Sequence, residues 1–258
     1  MTEQSKTTGA ILDKGAPVLS IVVAVLNEQE NISSVCSEIA GVLSTLPAVE
    51  VVFVDDGSSD GTVAALIEAR RIPGLETLRI LSHDHCCGKS GAMRTGVRHA
   101  RGTWIATIDG DGQDDPAEIA ALLAMAMAAA EKGRAPLVVG TRPKRSDTVW
   151  RKLATRFANG LRQRLLNDGC PDTGAPMKVF RRSDFLDLPY FEGLHRFLPA
   201  MMQSYGIPLL CKPVHHRSRL HGQSKYTNFG RAVVGVRDLP GVMWLRNRTR
   251  LPSSVREC

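Results

Sequence analysis

The chain has 258 residues, of which 43% are hydrophobic and 23% charged, with a net charge of +7 and a pI near 9.3. That size and apolar content suit one α/β domain, or one domain with a short appendage, around a substantial core. Aromatic residues make up only 5%, and no aromatic–basic interleaving appears. This excludes a base-stacking nucleic-acid module and an all-β sandwich, and leaves nucleotide phosphates or anionic lipid as partners for the positive charge.

The six cysteines (Cys36, Cys86, Cys87, Cys170, Cys211, Cys258) contain no CxxC pair. They form neither a zinc framework nor a secreted disulfide pattern, so a reducing, cytoplasmic setting is expected. Residues 1–16 are polar and read as a disordered tail without a signal peptide. No run of about 18 apolar residues exists, so no transmembrane helix is expected.

In chain order, Val18 to Val25 is a β-branched run suited to a strand buried on both faces. A helix is expected from Gln29 to Ser44, a strand from Val49 to Val54 and a helix from Thr62 to Arg70. A strand over Leu78 to Leu81, a helix over Lys89 to Ala100 and a strand over Trp104 to Ile108 follow. The next helix carries start signals, with Asp115 at N-cap, Pro116 at N1 and Glu118 at N3, and runs to Glu131. Leu137 to Gly140 closes this alternation, which implies a mostly parallel sheet with right-handed crossovers. The rhythm then changes. A basic helix is read over Val149 to Leu166, a strand over Met177 to Phe180, helix around Phe185 to Ser204 and an edge strand over Pro208 to Val214. The catalytic domain is placed at residues 17–226 and a basic amphipathic segment at 227–258.

Polar clusters follow Val25, Val54 and Ile108, and ligands of such sheets bind beyond the carboxyl ends of the strands. The sharpest cluster is Asp109-Gly110-Asp111-Gly112-Gln113. Two carboxylates one residue apart, with glycines that allow a tight turn, suit a hard cation bridging to a diphosphate, with Asp111 and Gln113 as ligands. Asp55-Asp56-Gly57-Ser58 is a second acidic strand end, where Asp56 can accept from a base or ribose, and Asn27-Glu28 a third. Gly88-Lys89-Ser90 is not a phosphate loop, because the first-glycine position is His83. Lys89 and Arg94 read as cations near a diphosphate. A zinc site from His83, His85, Cys86 and Cys87 is cramped in spacing and has no second ligand pair nearby.

The stretches VAVLNEQENI, VVFVDDGSSDGT, GKSGAMRTG, WIATIDGDGQDDPAEI and DTGAPMKVFRR together resemble the inverting family-2 glycosyltransferases of the GT-A fold. The similarity spans roughly residues 17–226 and is strongest to the dolichyl- and polyprenyl-phosphate sugar transferases. The resemblance implies a Rossmann-like sheet, a nucleotide-sugar donor, a polyprenyl-phosphate acceptor and Mg2+ or Mn2+. It implies that Glu28 and Asp56 hold the nucleotide, that Asp109 faces nucleotide and metal, and that Asp111 and Gln113 ligate the metal. Arg142, Arg151 and Thr155 fall where the family binds the acceptor phosphate, and His195-Arg196 and Ser224-Lys225 fall near donor or acceptor phosphates. Ala24 and Leu26 depart from the family's usual Pro and Tyr, which leaves the base open.

A phosphate acceptor is already anionic and needs cations rather than a general base. The basic helix with Arg151, Lys152 and Arg156 meets that need; for a hydroxyl acceptor, Asp172 or Asp114 would be the base. The other readings are a saccharide, protein or different lipid acceptor, or a non-catalytic membrane-associated scaffold. Residues 228–250, with Trp244 and flanking arginines around Pro240, read either as an interfacial helix on an anionic leaflet or as a helix packed on the domain. The expected location is the cytoplasmic face of a membrane, with a membrane-protein partner or a homo-oligomer left open.

Overall fold

The computed structural model describes residues 16–142, 160, 163–217, 228–252 and 256, with the backbone alone for residues 228–234 and 236. In order come β1 (Leu19–Val25), α1 (Gln29–Val42) with a 3-10 turn at Leu43–Thr45, β2 (Val49–Asp55), α2 (Thr62–Ala69), β3 (Arg79–Ser82) and α3 (Gly88–His99). Then follow β4 (Trp104–Asp109), α4 (Glu118–Glu131), β5 (Leu137–Thr141), β6 (Lys178–Arg181), α5 (Arg182–Leu186), α6 (Leu194–Ser204), β7 (Leu209–Pro213) and α7 (Asn228–Arg248).

One seven-stranded sheet has the order β3-β2-β1-β4-β6-β5-β7. Strands β1 to β4 pair in parallel, β5 pairs in parallel with β7, and β6 runs antiparallel to both β4 and β5. The parallel expectation therefore holds except at β6. Strand β5 ends at the carboxyl edge of the sheet and β6 begins there, so β6 has to run back. Among the described residues, strand β7 pairs with β5 alone, as an edge strand.

The apolar run of β1 is buried on both sides because the sheet has helices on both faces. Leu19, Ile21, Val23 and Val25 join one core layer with Ile32 and Ile39 of α1 and Ile119 and Leu122 of α4. Val22 faces the other layer with Met93 and Val97 of α3 and Phe197 and Met201 of α6. Strand β2 splits in the same way, Phe53 to the first layer and Val52 and Val54 toward Ala92 of α3. Period-two side chains between two helix layers give this three-layer arrangement.

Two helix expectations need correction. Helix α4 begins at Glu118 with Ala117 at N-cap, not with Asp115 there. The Glu118 carboxylate does not reach back to close a capping box. It binds Lys212 Nζ at 2.8 Å and accepts from His215 N–H at 3.3 Å, a tertiary competition that local propensity does not register. Asp115 instead caps the preceding turn, accepting from Ala117 N–H at 3.1 Å. The helix read around Phe185 to Ser204 is two helices, α5 and α6. Pro189 disfavours helical backbone at Leu188, and Gly193 restarts the chain at φ 88°.

Helix α7 buries Leu239 and Val242, which join the second core layer. Pro240 lies inside this helix. At this point the packed-helix alternative is what the structure contains. Among the described residues, no helix is long and apolar enough to cross a membrane.

Candidate active site

The carboxyl ends of β1, β2 and β4 lie side by side, because their registers run level: Val25 opposite Asp55, and Ala24 opposite Asp109. The first two loops are stitched together. Asn27 N–H donates to Ser58 Oγ at 2.7 Å, Ser59 N–H to Asn27 Oδ1 at 2.7 Å and Glu28 N–H to Thr62 Oγ1 at 2.9 Å. Asn27 has φ 50°, a left-handed conformation that asparagine tolerates through such local bonds. The Glu28 carboxylate accepts from Asn31 Nδ2 at 2.7 Å.

The third loop is shaped by its glycines. A Cβ on Gly110 would stand 2.3 Å from Val25 Cγ1, and Gly112 turns at φ 73°. Only glycine allows this loop to fold down onto the end of β1. Asp109 N–H donates to Asp114 Oδ2 at 3.0 Å, and Gln113 N–H donates to Asp111 Oδ1 at 3.1 Å. Gln113 Nε2 donates to Arg217 O at 3.2 Å, so Oε1 is the atom that this side chain can offer to a cation. Lys89 Nζ, from the first turn of α3, contacts Asp109 Oδ1.

This loop fits a divalent cation. Asp109, Asp111 and Gln113 supply oxygen donors alone, the chemistry of Mg2+ and Mn2+ sites. The ammonium of Lys89 already balances charge there. Beside the loop, both ring nitrogens of His216 are buried without a hydrogen-bond partner among the described residues, with Nδ1 3.6 Å from Asp114 Oδ1. Burial pushes the Asp114 carboxyl above the usual carboxylate range, against the pull of His216.

Cations gather on the β5–β6 side. Arg142, immediately after β5, makes a bidentate pair with Asp172: Nε to Oδ2 at 2.7 Å and Nη2 to Oδ1 at 2.9 Å. Burial alone would raise the Asp172 carboxyl, but the bonds and charge of Arg142 outweigh it and hold it below the usual range. Lys178, at the start of β6, is buried and donates to Ala175 O. Burial, with the nearby charge of Lys89, brings its ammonium down to about 8. A cavity here is lined by Ala24, Lys89, Asp109, Ala175, Lys178 and His195. The His195 ring is fixed by Ser90 Oγ, 2.7 Å from Nδ1.

The residues singled out in the sequence separate into groups. Asp109, Asp111, Gln113 and Lys89 come together, and the charges of Asp109 and Asp114 act on Arg142. Asp56 does not face open space: its carboxylate accepts from His83, Cys86, Cys87 N–H and Gly88 N–H. Arg196 acts on Asp238 of α7, whereas its neighbour His195 lines the cavity. Arg151, Thr155 and Lys225, with nearly all of the basic helix read over Val149 to Leu166, lie outside the described residues. Two residues went unnoticed in the sequence. Lys178 had a usable signal, a charge inside the apolar strand Met177 to Phe180. His216 had none beyond its place after an edge strand.

Fold and site together define a GT-A-type α/β protein, with an acidic strand-end loop and cations beyond it. The chain belongs to glycosyl transferase family 2, whose family model matches residues 20–188. It is 34% identical over 234 residues to the dodecaprenyl-phosphate galacturonate synthase of Rhizobium johnstonii, covering 88% of this chain and 66% of that protein. It is also 34% identical over 210 residues to the undecaprenyl-phosphate 4-deoxy-4-formamido-L-arabinose transferase of Edwardsiella ictaluri, covering 81% of this chain and 62% of that protein. The chain thus spans just under two thirds of the length of these relatives. Among solved structures, glucosyl-3-phosphoglycerate synthase from Mycobacterium tuberculosis in complex with UDP shares the fold. The TM-score is 0.63 at 19% identity, over 90% of this chain and 80% of that one.

Proposed function

We propose that this chain is an inverting glycosyltransferase that moves a sugar from a nucleotide-sugar donor to a polyprenyl phosphate. The observation that carries this reading is the Asp109–Gln113 loop facing a group of cations, Lys89, Arg142 and Lys178, at one edge of the sheet. The names of the two relatives, each a transferase or synthase acting on a polyprenyl phosphate, support it.

In this reading Asp109, Asp111 and Gln113 hold Mg2+ or Mn2+ against the donor diphosphate. When bound, that cation neutralises charge on the departing nucleoside diphosphate. Lys89, on the face of α3 next to Asp109, adds a second positive contact. Arg142 and Lys178 hold the acceptor phosphate beside the anomeric carbon. A phosphate oxygen forms the new bond to that carbon as the bond to the diphosphate oxygen breaks, with inversion. No proton has to be removed. The Arg142–Asp172 pair fits this, because Asp172 accepts both arms of the guanidinium and is held below the ordinary carboxylate range, which makes it a weak base. Glu28 and Asp56, at the other two strand ends, stand on the nucleotide side. His195 is a further polar group on the cavity wall. Arg151, Thr155, Arg196 and Lys225 belong to this proposal through the family resemblance alone.

A peripheral membrane contact follows for a lipid acceptor. Helix α7 packs through Leu239 and Val242 while Trp244 stays 59% exposed, with the Arg248 guanidinium 5.8 Å from its ring centre. An exposed tryptophan flanked by arginines suits the headgroup region of an anionic leaflet. A location at the cytoplasmic face of a membrane is part of this proposal.

The test is a panel of radiolabelled UDP- and GDP-sugars incubated with the protein, Mn2+ or Mg2+, and a polyprenyl phosphate. Label is expected in the organic phase, released by mild acid. Label transferred only to water or to a water-soluble saccharide would overturn the lipid-phosphate acceptor.

A further inference from the structure

Between β3 and α3 runs the segment His83-Asp84-His85-Cys86-Cys87. Its own spacing is too cramped for a metal site, but the fold adds a ligand from elsewhere. Asp56, at the end of β2, is 3% exposed and lies in the centre of this loop. Ligand atoms of Asp56, His83 and Cys87 all lie within 4.8 Å of one another. His83 Nδ1 is 2.8 Å from Asp56 Oδ1, and Cys86 Sγ donates to Asp56 Oδ2 at 3.2 Å. The far ring nitrogen of His83 faces Thr95 Oγ1 at 2.9 Å, so the hydroxyl can accept a ring proton there when a metal displaces the Nδ1 proton that Asp56 holds. Cys86 and Cys87 are both free thiols, and both are exposed.

We propose that Asp56, His83, Cys86 and Cys87 form a second cation site, one that takes a thiophilic divalent metal such as Zn2+. Ligand atoms around tetrahedral zinc stand roughly 3.3–3.8 Å apart, given metal–ligand bonds of about 2.0–2.3 Å. The ligand atoms of Asp56, His83 and Cys87 stand within 4.8 Å of one another, and rotation of the exposed Cys86 and Cys87 side chains, by about an ångström or more, brings the four ligand atoms to that spacing. Each thiol loses its proton to solvent as its metal–sulfur bond forms, and the hydrogen bond from Cys86 to Asp56 is replaced by shared coordination. Binding therefore releases protons and strengthens with rising pH. The site is chemically distinct from the Asp109–Gln113 loop, whose oxygen donors favour Mg2+ and Mn2+. It also has a consequence that rests on the proposed function. Asp56 stands on the nucleotide side, so an occupied site competes with the donor.

The experiment uses Co2+ alone as the probe, added to the full chain with a phosphine reductant. A near-ultraviolet thiolate-to-cobalt charge-transfer band and the intense visible bands of four-coordinate cobalt are expected, both bleached by Zn2+. The Cys86→Ser/Cys87→Ser double variant, altered only at exposed positions, is expected to lose the charge-transfer band. Asp111→Ala is expected to keep it, and His83→Gln to weaken Co2+ binding at least tenfold. No charge-transfer band in the unaltered chain, a band that persists in the double variant, or unchanged affinity in His83→Gln would each overturn the site. In a transfer assay, Zn2+ is expected to raise the donor KM in the unaltered chain, reversed by a chelator. An unchanged KM with the cobalt bands intact would overturn the competition while leaving the site.

Discussion

In the first half of the sheet, β1 and β2 end in loops that hydrogen-bond to one another, with Asn27, Ser58, Ser59 and Thr62 as the links. In the second half, the same side of the sheet carries a partly buried ion pair after β5, Arg142–Asp172, and a buried amine at the start of β6, Lys178. The first arrangement is a frame of polar hydrogen bonds, in which Asn31 holds the Glu28 carboxylate and the His83–Gly88 loop holds that of Asp56. The second sets one buried amine, Lys178, beside a partly buried ion pair, and a charge at a buried position acts more strongly on an incoming anion. The β4 loop lies between the two, and Lys89 and Asp114 tie it to both sides.

The largest expected effect comes from breaking the oxygen donor set between the halves. Asp111→Ala should lower transfer by at least about 10³-fold, the scale of lost charge stabilisation at a leaving group. Activity retained in saturating Mn2+ would sink the metal assignment. Next, Arg142→Ala should lower kcat/KM for the lipid phosphate by about 10²-fold. Asp172→Asn keeps the guanidinium but loosens it, and should cost about tenfold, mainly in the acceptor KM. Equal losses from the two variants would mean that the pair acts only as structure.

A third prediction concerns the buried amine. Burial brings the Lys178 ammonium down to about 8 in the folded protein, from an ordinary 10.5. Between those values the unfolded chain binds the extra proton, so stability rises with pH across that window. The ceiling is about 3 kcal/mol, from 1.36 kcal/mol per unit. Urea unfolding of the parent and Lys178→Met from pH 7 to about 10.5 should show this rise in the parent and its absence in the variant; parallel curves would refute it.

The smallest effects separate the two faces of α7. Leu239→Ala should destabilise the domain by about 2–4 kcal/mol, read as a lower urea midpoint, because it opens a cavity in the second core layer. Trp244→Ala should leave the midpoint within about 0.5 kcal/mol and weaken binding to anionic vesicles several-fold. Unchanged vesicle binding would reduce α7 to a packing element.

Much of this was legible in the sequence. The β-branched run ending at Val25 and the alternation through Leu137 define the parallel strands, because period and turn chemistry are local properties. The Asp109–Gln113 loop was legible for the same reason: its donors lie within five consecutive residues. Other features were not. Strand β6 reads like any short apolar strand, and its reversed direction depends on where β5 leaves the chain. Glu118 carries a capping signal, and only the distant Lys212 and His215 override it.

The sequence by itself determined an α/β sheet with acidic loops at three neighbouring strand ends, and through its motifs the family. Only the tertiary structure decided which side chains meet across the loops. Asp172 beside Arg142, His216 beside Asp114 and Asp56 within the His83–Cys87 loop each join residues at least 27 positions apart. No local pattern encodes such pairs, since the free energy that fixes them comes from packing two helix layers on one sheet.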